Sequence, residues 1–243
     1  KANAFRVFQF IGSPEFDSQG SIVLGTAEGG VQVTLFRLNE LDLNNIYVNQ
    51  DEPFRAHAKL PLDLNYWYFH TMHHEFCHIL TQKKYYSTDF QTISAGKYHS
   101  TDWINVDDED AVQEGFVTGY ASSEYNEDFA EVYANYVTSN DESWAARLDK
   151  GIEYTVTGLN AKGETIQVAF WGEPTNADLV GAGFRKITGA KITSTQGADI
   201  INAKLEIVRS YLQDSWGIDL EKLRAIVLRR SAEVMNMDLT TLN

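Results

Sequence analysis

Apolar residues recur at helical spacing between residues 64 and 83, shortly after Pro61. Intervals of three and four residues are typical of a helix that buries one face. The apolar positions are Phe69, Met72, Phe76, Ile79 and Leu80. They lie roughly opposite His74 and His78 on a helix, so the pattern predicts that both histidines face away from the core.

A second helical repeat covers residues 122–137. Its apolar stripe consists of Phe129, Val132, Tyr133, Tyr136 and Val137. Glu127 and Glu131 lie one turn apart on the other side, and two like charges at this spacing repel each other slightly. The pattern therefore favours a cation or a histidine beside these carboxylates. Ser122 or Ser123 is the predicted N-cap of the helix.

The N-terminal segment, residues 4–50, contains short apolar runs separated by Gly-Gly and Asn-Asn turns. Such runs are typical of β-strands, and the predicted strands are 5–11, 21–24, 31–38 and 46–48. A sheet of this kind can bind an extended peptide along an edge strand, backbone to backbone. Residues 31–36 are the predicted edge.

The remaining segments complete an α+β pattern. Residues 84–112 form a polar stretch, and the acidic run 107–110 within it is the predicted start of a solvated helix. A calcium loop is the less favoured alternative there, because the usual spaced glycine is missing. The other predicted elements are a hairpin at 151–171, a Gly/Thr-rich insertion or lid at 172–198, and two amphipathic helices at 199–215 and 219–236, separated at Trp216-Gly217.

These elements predict a single α+β domain over residues 1–243. Residues 1–140 supply the twisted sheet and the two helices described first. Residues 141–198 contain the predicted insertion or lid, and residues 199–243 form the closing helices.

Composition and charge narrow the choice of partners. The chain has 43% hydrophobic residues, which is enough for a real core. Its net charge of −14 disfavours nucleic acid and anionic membrane surfaces. No run approaches the ~20 apolar residues of a membrane span. The single cysteine, Cys77, forms no internal disulfide and is predicted to be a small buried hydrophobe.

Residues 74–78 read His-Glu-Phe-Cys-His, the H-E-x-x-H pattern. On a helix, His74 and His78 point at the same spot, where two neutral imidazoles suit Zn²⁺. Glu75 stands beside them as the predicted base that deprotonates a water. His70, one turn earlier, either fills the edge of a cleft or contacts substrate.

A catalytic zinc site needs a third protein ligand. The metzincin continuation would place Gly and His at positions 81 and 84, but Thr81 and Lys84 stand there, which excludes that class. Glu127 on the second helix is the predicted third ligand. Glu131 would accept the free ring N–H of a zinc histidine and fix its tautomer.

These residues carry a resemblance to known peptidases. Asn126-Glu127, followed by Glu131, resembles the N-E-x-x-x-D ligand helix of thermolysin-type gluzincins, with Glu in place of the final Asp. The run 127–131 is more similar to the ligand helix of anthrax-lethal-factor-like peptidases. In those peptidases a tyrosine seven residues before the ligand Glu stabilises the transition state, which implies that role for Tyr120.

The chain as a whole resembles a family of zinc metallopeptidase lipoproteins of Bacteroides-type bacteria, associated with outer-membrane substrate import. The segments that carry this resemblance are 23–31, 74–78, 115–117, 120–123, 127–131 and 202–220. It implies a zincin-like fold, components of an outer-membrane import system as partners, and a cell-envelope location as an anchored or secreted protein. The family's signal peptide and lipobox cysteine do not occur in this sequence, so a trimmed form is expected.

The predicted function is zinc-dependent hydrolysis of peptide bonds in a peptide or protein substrate. Two alternatives stay open at the level of sequence. One is a zinc hydrolase of another amide or ester, because the chemistry at the metal is the same. The other is a non-catalytic zinc-binding accessory lipoprotein of an uptake system.

Overall fold

The computed structural model describes residues 6–18, 20–42, 47–48, 63–238 and 241. The described chain combines helices with small sheets, which confirms the predicted α+β class. Its N-terminal strands are β1 (Val7–Phe10), β2 (Glu15–Phe16), β3 (Ile22–Val23), β4 (Gly25–Glu28) and β5 (Gln32–Leu35). Of the predicted strand 46–48, Tyr47 forms a parallel bridge with Asp63, while residue 46 lies outside the described residues.

β5 is the central strand of a described sheet with the order β1-β5-β4. It pairs in parallel with β1 and antiparallel with β4. The prediction that residues 31–36 form the exposed edge is therefore wrong, because Val33, Thr34 and Leu35 are all buried. The parallel neighbour β1 comes from a distant part of the chain, and such non-local pairing leaves no trace in the local pattern. The two outer strands of the described sheet are β1 and β4.

The helix of the H-E-x-x-H pattern forms as predicted. A π-helical turn, Asn65–His70, leads directly into α1 (Thr71–Thr81). Ile79 packs with Val33 and Leu35 of the N-terminal sheet. Cys77 belongs to the main core, where burial raises the pKa of its thiol and makes it an inert apolar side chain. The helix therefore has sheet on one side and a helical core on the other.

The polar stretch after α1 contains two short helices, α2 (Asp89–Ile93) and α3 (Asp108–Glu114). The acidic run 107–110 does start a helix, since Asp107 precedes α3 directly. The side chain of Asp108 is half-buried rather than fully solvated, and it accepts a hydrogen bond from the N–H of Gly119 at 2.8 Å.

The helix that carries Glu127 and Glu131 is α4 (Tyr125–Thr138), which lies in the middle of the core. It packs against α1 and the two C-terminal helices. The predicted serine cap is wrong, because the N-cap is Glu124 and residues Tyr120–Ser122 form a separate 3₁₀ turn. The hydroxyl of Ser122 donates to the carbonyl of Gly119 instead, which stabilises this turn.

After α5 (Asp141–Asp149) the chain forms the predicted hairpin from β6 (Glu153–Leu159) and β7 (Thr165–Trp171). The segment 172–198 contains α6 (Asn176–Gly181) and β8 (Lys186–Ser194). β8 pairs with β6, so this sheet has the order β7-β6-β8. That the segment is an insertion or a lid stays a prediction.

Two helices end the described chain, α7 (Gln196–Tyr211) and α8 (Leu220–Val234). A π-helical turn, Leu212–Trp216, follows α7, and Gly217 reverses the chain at a φ of 69°. This break lies where the sequence predicts it. A left-handed backbone favours glycine, since other side chains clash there. None of the described helices has the length and apolar character needed to cross a membrane.

Candidate metal centre

α1 and α4 bring His74, His78 and Glu127 together, and one ligand atom from each lies within 4.8 Å of the others. The Nε2 atoms of His74 and His78 are 3.0 Å apart. The Oε2 atom of Glu127 lies 2.9 Å from the first and 3.2 Å from the second. The three residues singled out as metal ligands therefore meet at one point.

The donor set fits zinc. Ligand atoms 2.0–2.1 Å from a tetrahedral Zn²⁺ are roughly 3.3 Å from one another, close to the separations seen here. Two imidazole nitrogens and one carboxylate oxygen are zinc ligands of the catalytic kind, which leave a further position open. The two Nε2 atoms also face each other at hydrogen-bond distance. Their lone pairs would repel each other unless a proton or a metal ion lies between them.

Glu131 fixes the orientation of His74. Its Oε1 atom lies 2.8 Å from Nδ1 of His74, so the ring N–H donates there and leaves the Nε2 lone pair available to a metal ion. Burial lowers the pKa of His74, but the carboxylates of Glu127 and Glu131 outweigh it and hold this pKa well above its usual range. This electrostatic field attracts a positive charge to the imidazole, whether a proton or a metal ion.

The carboxylate of Glu131 is almost fully enclosed and meets several polar partners. Oε1 also lies 3.2 Å from Nε2 of His70. Oε2 accepts hydrogen bonds from Oγ1 of Thr118 at 2.7 Å and from Nδ2 of Asn135 at 3.2 Å. Burial raises the pKa of Glu131, but His70 and His74 lower it more, so the pKa lies well below its usual range. The group therefore stays ionised.

Glu75 lies on α1 beside the three ligand residues and is 9% exposed. Burial raises the pKa of its carboxyl, and the neighbouring imidazoles of His74 and His78 oppose that shift in part. A carboxylate with a raised pKa is a better proton acceptor, which suits the predicted general base.

Tyr120 belongs to the 3₁₀ turn before α4 and lies at the mouth of the site. Its ring centroid is 5.8 Å from that of His74 and 4.9 Å from that of Trp103. The residue is 38% exposed, so it can reach a bound molecule. Burial and the carboxylate of Glu127 raise the pKa of its phenol, which keeps the hydroxyl protonated and able to donate.

A cleft of about 480 Å³ opens beside His74, Glu75 and Tyr120. Its lining combines apolar with polar side chains. The apolar ones include Ile22, Val23, Leu24, Trp103, Ile104 and Val106, and the polar ones include Asn65, His70, Asn135, Thr138 and Arg147. His70 therefore lies in the cleft wall, where it can contact a bound molecule. The first residue of β4, Gly25, lines the cleft as well.

Sequence reasoning missed three residues of this site. A Cβ on Gly25 would lie 2.9 Å from Cγ of Glu75, so only glycine lets β4 approach α1 this closely. Thr118 contacts Glu131 from a segment with no motif of its own. Arg147 of α5 lines the cleft and is 1% exposed, and burial lowers its pKa to about 10 against the opposing effect of Asp108 and Glu131. The one signal available in the sequence was that Gly25 lies within the segment 23–31, which carries the family resemblance.

Comparisons with known proteins agree with this geometry. A family profile described as "Putative zinc-binding metallo-peptidase" matches residues 1–221, and the chain belongs to this family. The chain is also similar to a solved structure, described as "a putative zinc-binding metallo-peptidase from Bacteroides caccae". That match has a TM-score of 0.63 and 32% sequence identity, and it covers 100% of this chain and 70% of the other. A search of the curated proteins found no match.

Proposed function

We propose that the protein is a zinc-dependent peptidase that hydrolyses peptide bonds. The observation that carries this proposal is the convergence of His74, His78 and Glu127 at one point, with Glu75 beside them and an open cleft in front. Zinc held there would polarise the scissile carbonyl and acidify a water molecule. The third ligand is a glutamate from a second helix, which favours a gluzincin-like site.

The residues around the ligands supply the rest of the chemistry. Glu75 accepts the proton of the attacking water and then delivers it to the leaving amine. Tyr120 donates a hydrogen bond to the carbonyl oxygen as negative charge develops on it, which lowers the barrier more than it strengthens substrate binding. Glu131 keeps His74 in the tautomer that presents Nε2.

The sheet edge beside the cleft supports a peptide as the substrate. β4 is one of the two outer strands of the described sheet, and its first residue, Gly25, lines the cleft together with Glu75. An extended peptide can pair with such an edge through its backbone and hold its scissile bond above α1. The sequence predicted residues 31–36 as the peptide-binding edge, and we propose β4 for that role instead.

The location of the protein is a further proposal, and its support is the resemblance of the sequence to envelope lipoproteins. We propose an anchored or secreted protein of the cell envelope that works with components of outer-membrane import. Fractionation of cells that make the native protein, followed by detergent-phase partition, tests this. Recovery in the soluble cytosolic fraction would contradict it.

The decisive experiment for activity is exposure of a diverse peptide library to the zinc-loaded protein, with mass spectrometry of the products. Specific cuts are expected that disappear on chelation and return when zinc is restored. The matched control is Glu75→Gln, which keeps all three ligands and should cut the same peptides at least about 100-fold more slowly. If the wild-type protein cuts no peptide but hydrolyses other amides or esters, the substrate class is wrong. If it binds zinc and hydrolyses nothing, an accessory binding role replaces catalysis.

A further inference from the structure

Thr118 stands between the metal centre and the turn that carries Tyr120. It lies in the segment between α3 and that turn, and it lines the cleft. Its hydroxyl donates to Oε2 of Glu131 at 2.7 Å and accepts from the backbone N–H of Ala121 at 3.0 Å. The hydroxyl thus donates one hydrogen bond and accepts another, and these two bonds define its orientation.

Each of these bonds leads to a group with a proposed role. Glu131 accepts from Nδ1 of His74 at 2.8 Å, so the first bond ends one step from a metal ligand. Ala121 directly follows Tyr120, so the second bond holds the backbone next to the proposed oxyanion donor. Gly119, on the other side of Tyr120, is tied to Asp108 at 2.8 Å.

We propose that Thr118 is a positioning residue that sets the orientation of Glu131, and through it of His74, together with the position of the Tyr120 turn. This inference rests on the proposed metal site. Two hydrogen bonds reach Oε2 of Glu131, and the one from Thr118 is the shorter. Removing it leaves Asn135 to hold that oxygen.

The test compares Thr118→Val, which has nearly the same shape without the hydroxyl, with Thr118→Ser, which restores the hydroxyl. Zinc affinity is measured by chelator competition without substrate. Thr118→Val should bind zinc about 10-fold more weakly, at the low end of the effect of residues behind metal ligands. Thr118→Ser should stay within about threefold of wild type. The control Thr92→Val removes a hydroxyl bonded only to the carbonyl of Asp89, away from the cleft, and should not change the affinity.

A double-mutant cycle separates positioning from general destabilisation. If Thr118 acts through Glu131, then Thr118→Val should have little further effect on zinc affinity when Glu131→Gln is already present. An equal loss in both backgrounds, or no loss in Thr118→Val, overturns the proposal. The thermal unfolding of the metal-free variants identifies one that fails to fold, and Thr118→Ala then replaces it in the cycle.

Nuclear magnetic resonance of the metal-free protein gives a readout that needs neither zinc nor turnover. The ring ¹⁵N shifts of His74 report the bond from Nδ1 to Glu131 and should change in Thr118→Val but not in Thr118→Ser. Unchanged shifts in Thr118→Val overturn the proposal. If the shifts and the zinc cycle follow expectation while the peptide library is not cut, the peptidase activity fails and the role of Thr118 stands.

Discussion

Glu75 and Glu127 both lie at the candidate metal centre, but their surroundings shift the pKa values of their carboxyls in opposite directions. Glu127 lies within hydrogen-bond distance of both His74 and His78, and these contacts outweigh burial to hold the pKa of Glu127 far below its usual range. In Glu75 burial dominates and the pKa is raised. A carboxylate with a low pKa stays ionised and suits a metal ligand, whereas one with a raised pKa suits a proton acceptor. Replacing Glu127 should therefore affect metal binding, and replacing Glu75 should affect turnover.

Glu75→Gln should leave zinc affinity nearly unchanged, since Glu75 is not among the three ligand residues. It should lower kcat by about 10²–10⁴, the usual contribution of a positioned general base. Zinc content and peptide cleavage of the same preparation check both halves of the prediction.

The companion variants are Glu127→Ala and Glu131→Gln. The first should lose zinc, and the second should bind it roughly 10–100-fold more weakly. If Glu131→Ala releases the metal and Glu127→Ala does not, the roles of the two residues are reversed.

Tyr120→Phe keeps the ring and its edge contact with Trp103 but removes the hydroxyl. Zinc content and thermal stability should not change. kcat should fall by about 10²–10³, the usual effect of losing one oxyanion donor, with little change in KM. Steady-state kinetics on a peptide cut by the wild type provide the measurement, and a variant with full turnover would reduce Tyr120 to a packing residue.

At the scale of secondary structure, the helices of the site could be predicted and its strand could not. α1 and α4 carry a helical repeat that is visible in the sequence, and this repeat also fixes which face turns to the metal. β4 has the sequence Gly-Thr-Ala-Glu, which has little intrinsic preference for a strand. It forms because β5 pairs with it across the Gly29-Gly30 turn and α1 packs on it, and the contact with α1 is not local in the chain.

The C-terminal helix α7 holds the ligand helix through one buried ion pair. Nζ of Lys204 lies 2.7 Å from Oδ2 of Asp128, both side chains are 0% exposed, and Asp128 directly follows Glu127. Nζ also donates to the carbonyl of Gly115 and lies 4.0 Å from the ring centroid of Phe116. Burial raises the pKa of Asp128 to about 6 in spite of the ammonium group beside it.

Lys204→Met should therefore lower the free energy of unfolding by about 3–5 kcal/mol, because it leaves a buried carboxylate without its cation. Adding Asp128→Asn should recover most of the loss, since the pair as a unit contributes little net stability. The loss should be larger at pH 8 than at pH 5, because the folded-state pKa of Asp128 is raised and its carboxyl takes up a proton at low pH.

Denaturant unfolding of the metal-free variants measures these differences. The control is Lys222→Met, which removes an exposed lysine paired with Asp219 on the surface and should cost less than about 0.5 kcal/mol. Equal losses for the two lysine variants would mean that the buried pair has no special role in holding α4.

Over the whole molecule, the sequence predicted the features that depend on contacts between residues close together in the chain. The α+β class, the hairpin of β6 and β7 and the break at Gly217 all follow from short-range patterns. β8 was missed because its exposed, Thr- and Gly-rich sequence is also typical of loops, and its partner β6 lies about 30 residues earlier. Thr118 was missed for the same reason, since only folding brings it to Glu131.

The candidate metal ligands lie on α1 and α4, which pack against each other, so zinc bound there should stabilise the entire fold. A ligand at 100 times its Kd contributes about 2.7 kcal/mol, and a chain of this size gains roughly 2–4 °C in Tm per kcal/mol. Saturating zinc should thus raise Tm by roughly 5–10 °C, measured by calorimetry. Glu127→Ala should abolish the increase.

The size of this increase should depend on pH in a direction set by His74. Its folded, metal-free pKa is raised above the usual ~6.5, because Glu127 and Glu131 outweigh the effect of burial. The charged imidazole therefore stabilises the metal-free fold at pH below about 6.5, and that contribution is lost as pH rises through the raised pKa. Zinc needs the neutral ring and must displace this proton. The increase in Tm on zinc addition should consequently grow from pH 6 to pH 8 as the metal-free protein loses stability and the zinc-bound form does not. An equal increase in Tm at both pH values would show that His74 carries no extra proton in the metal-free protein. Another group would then neutralise the charge of Glu127 and Glu131.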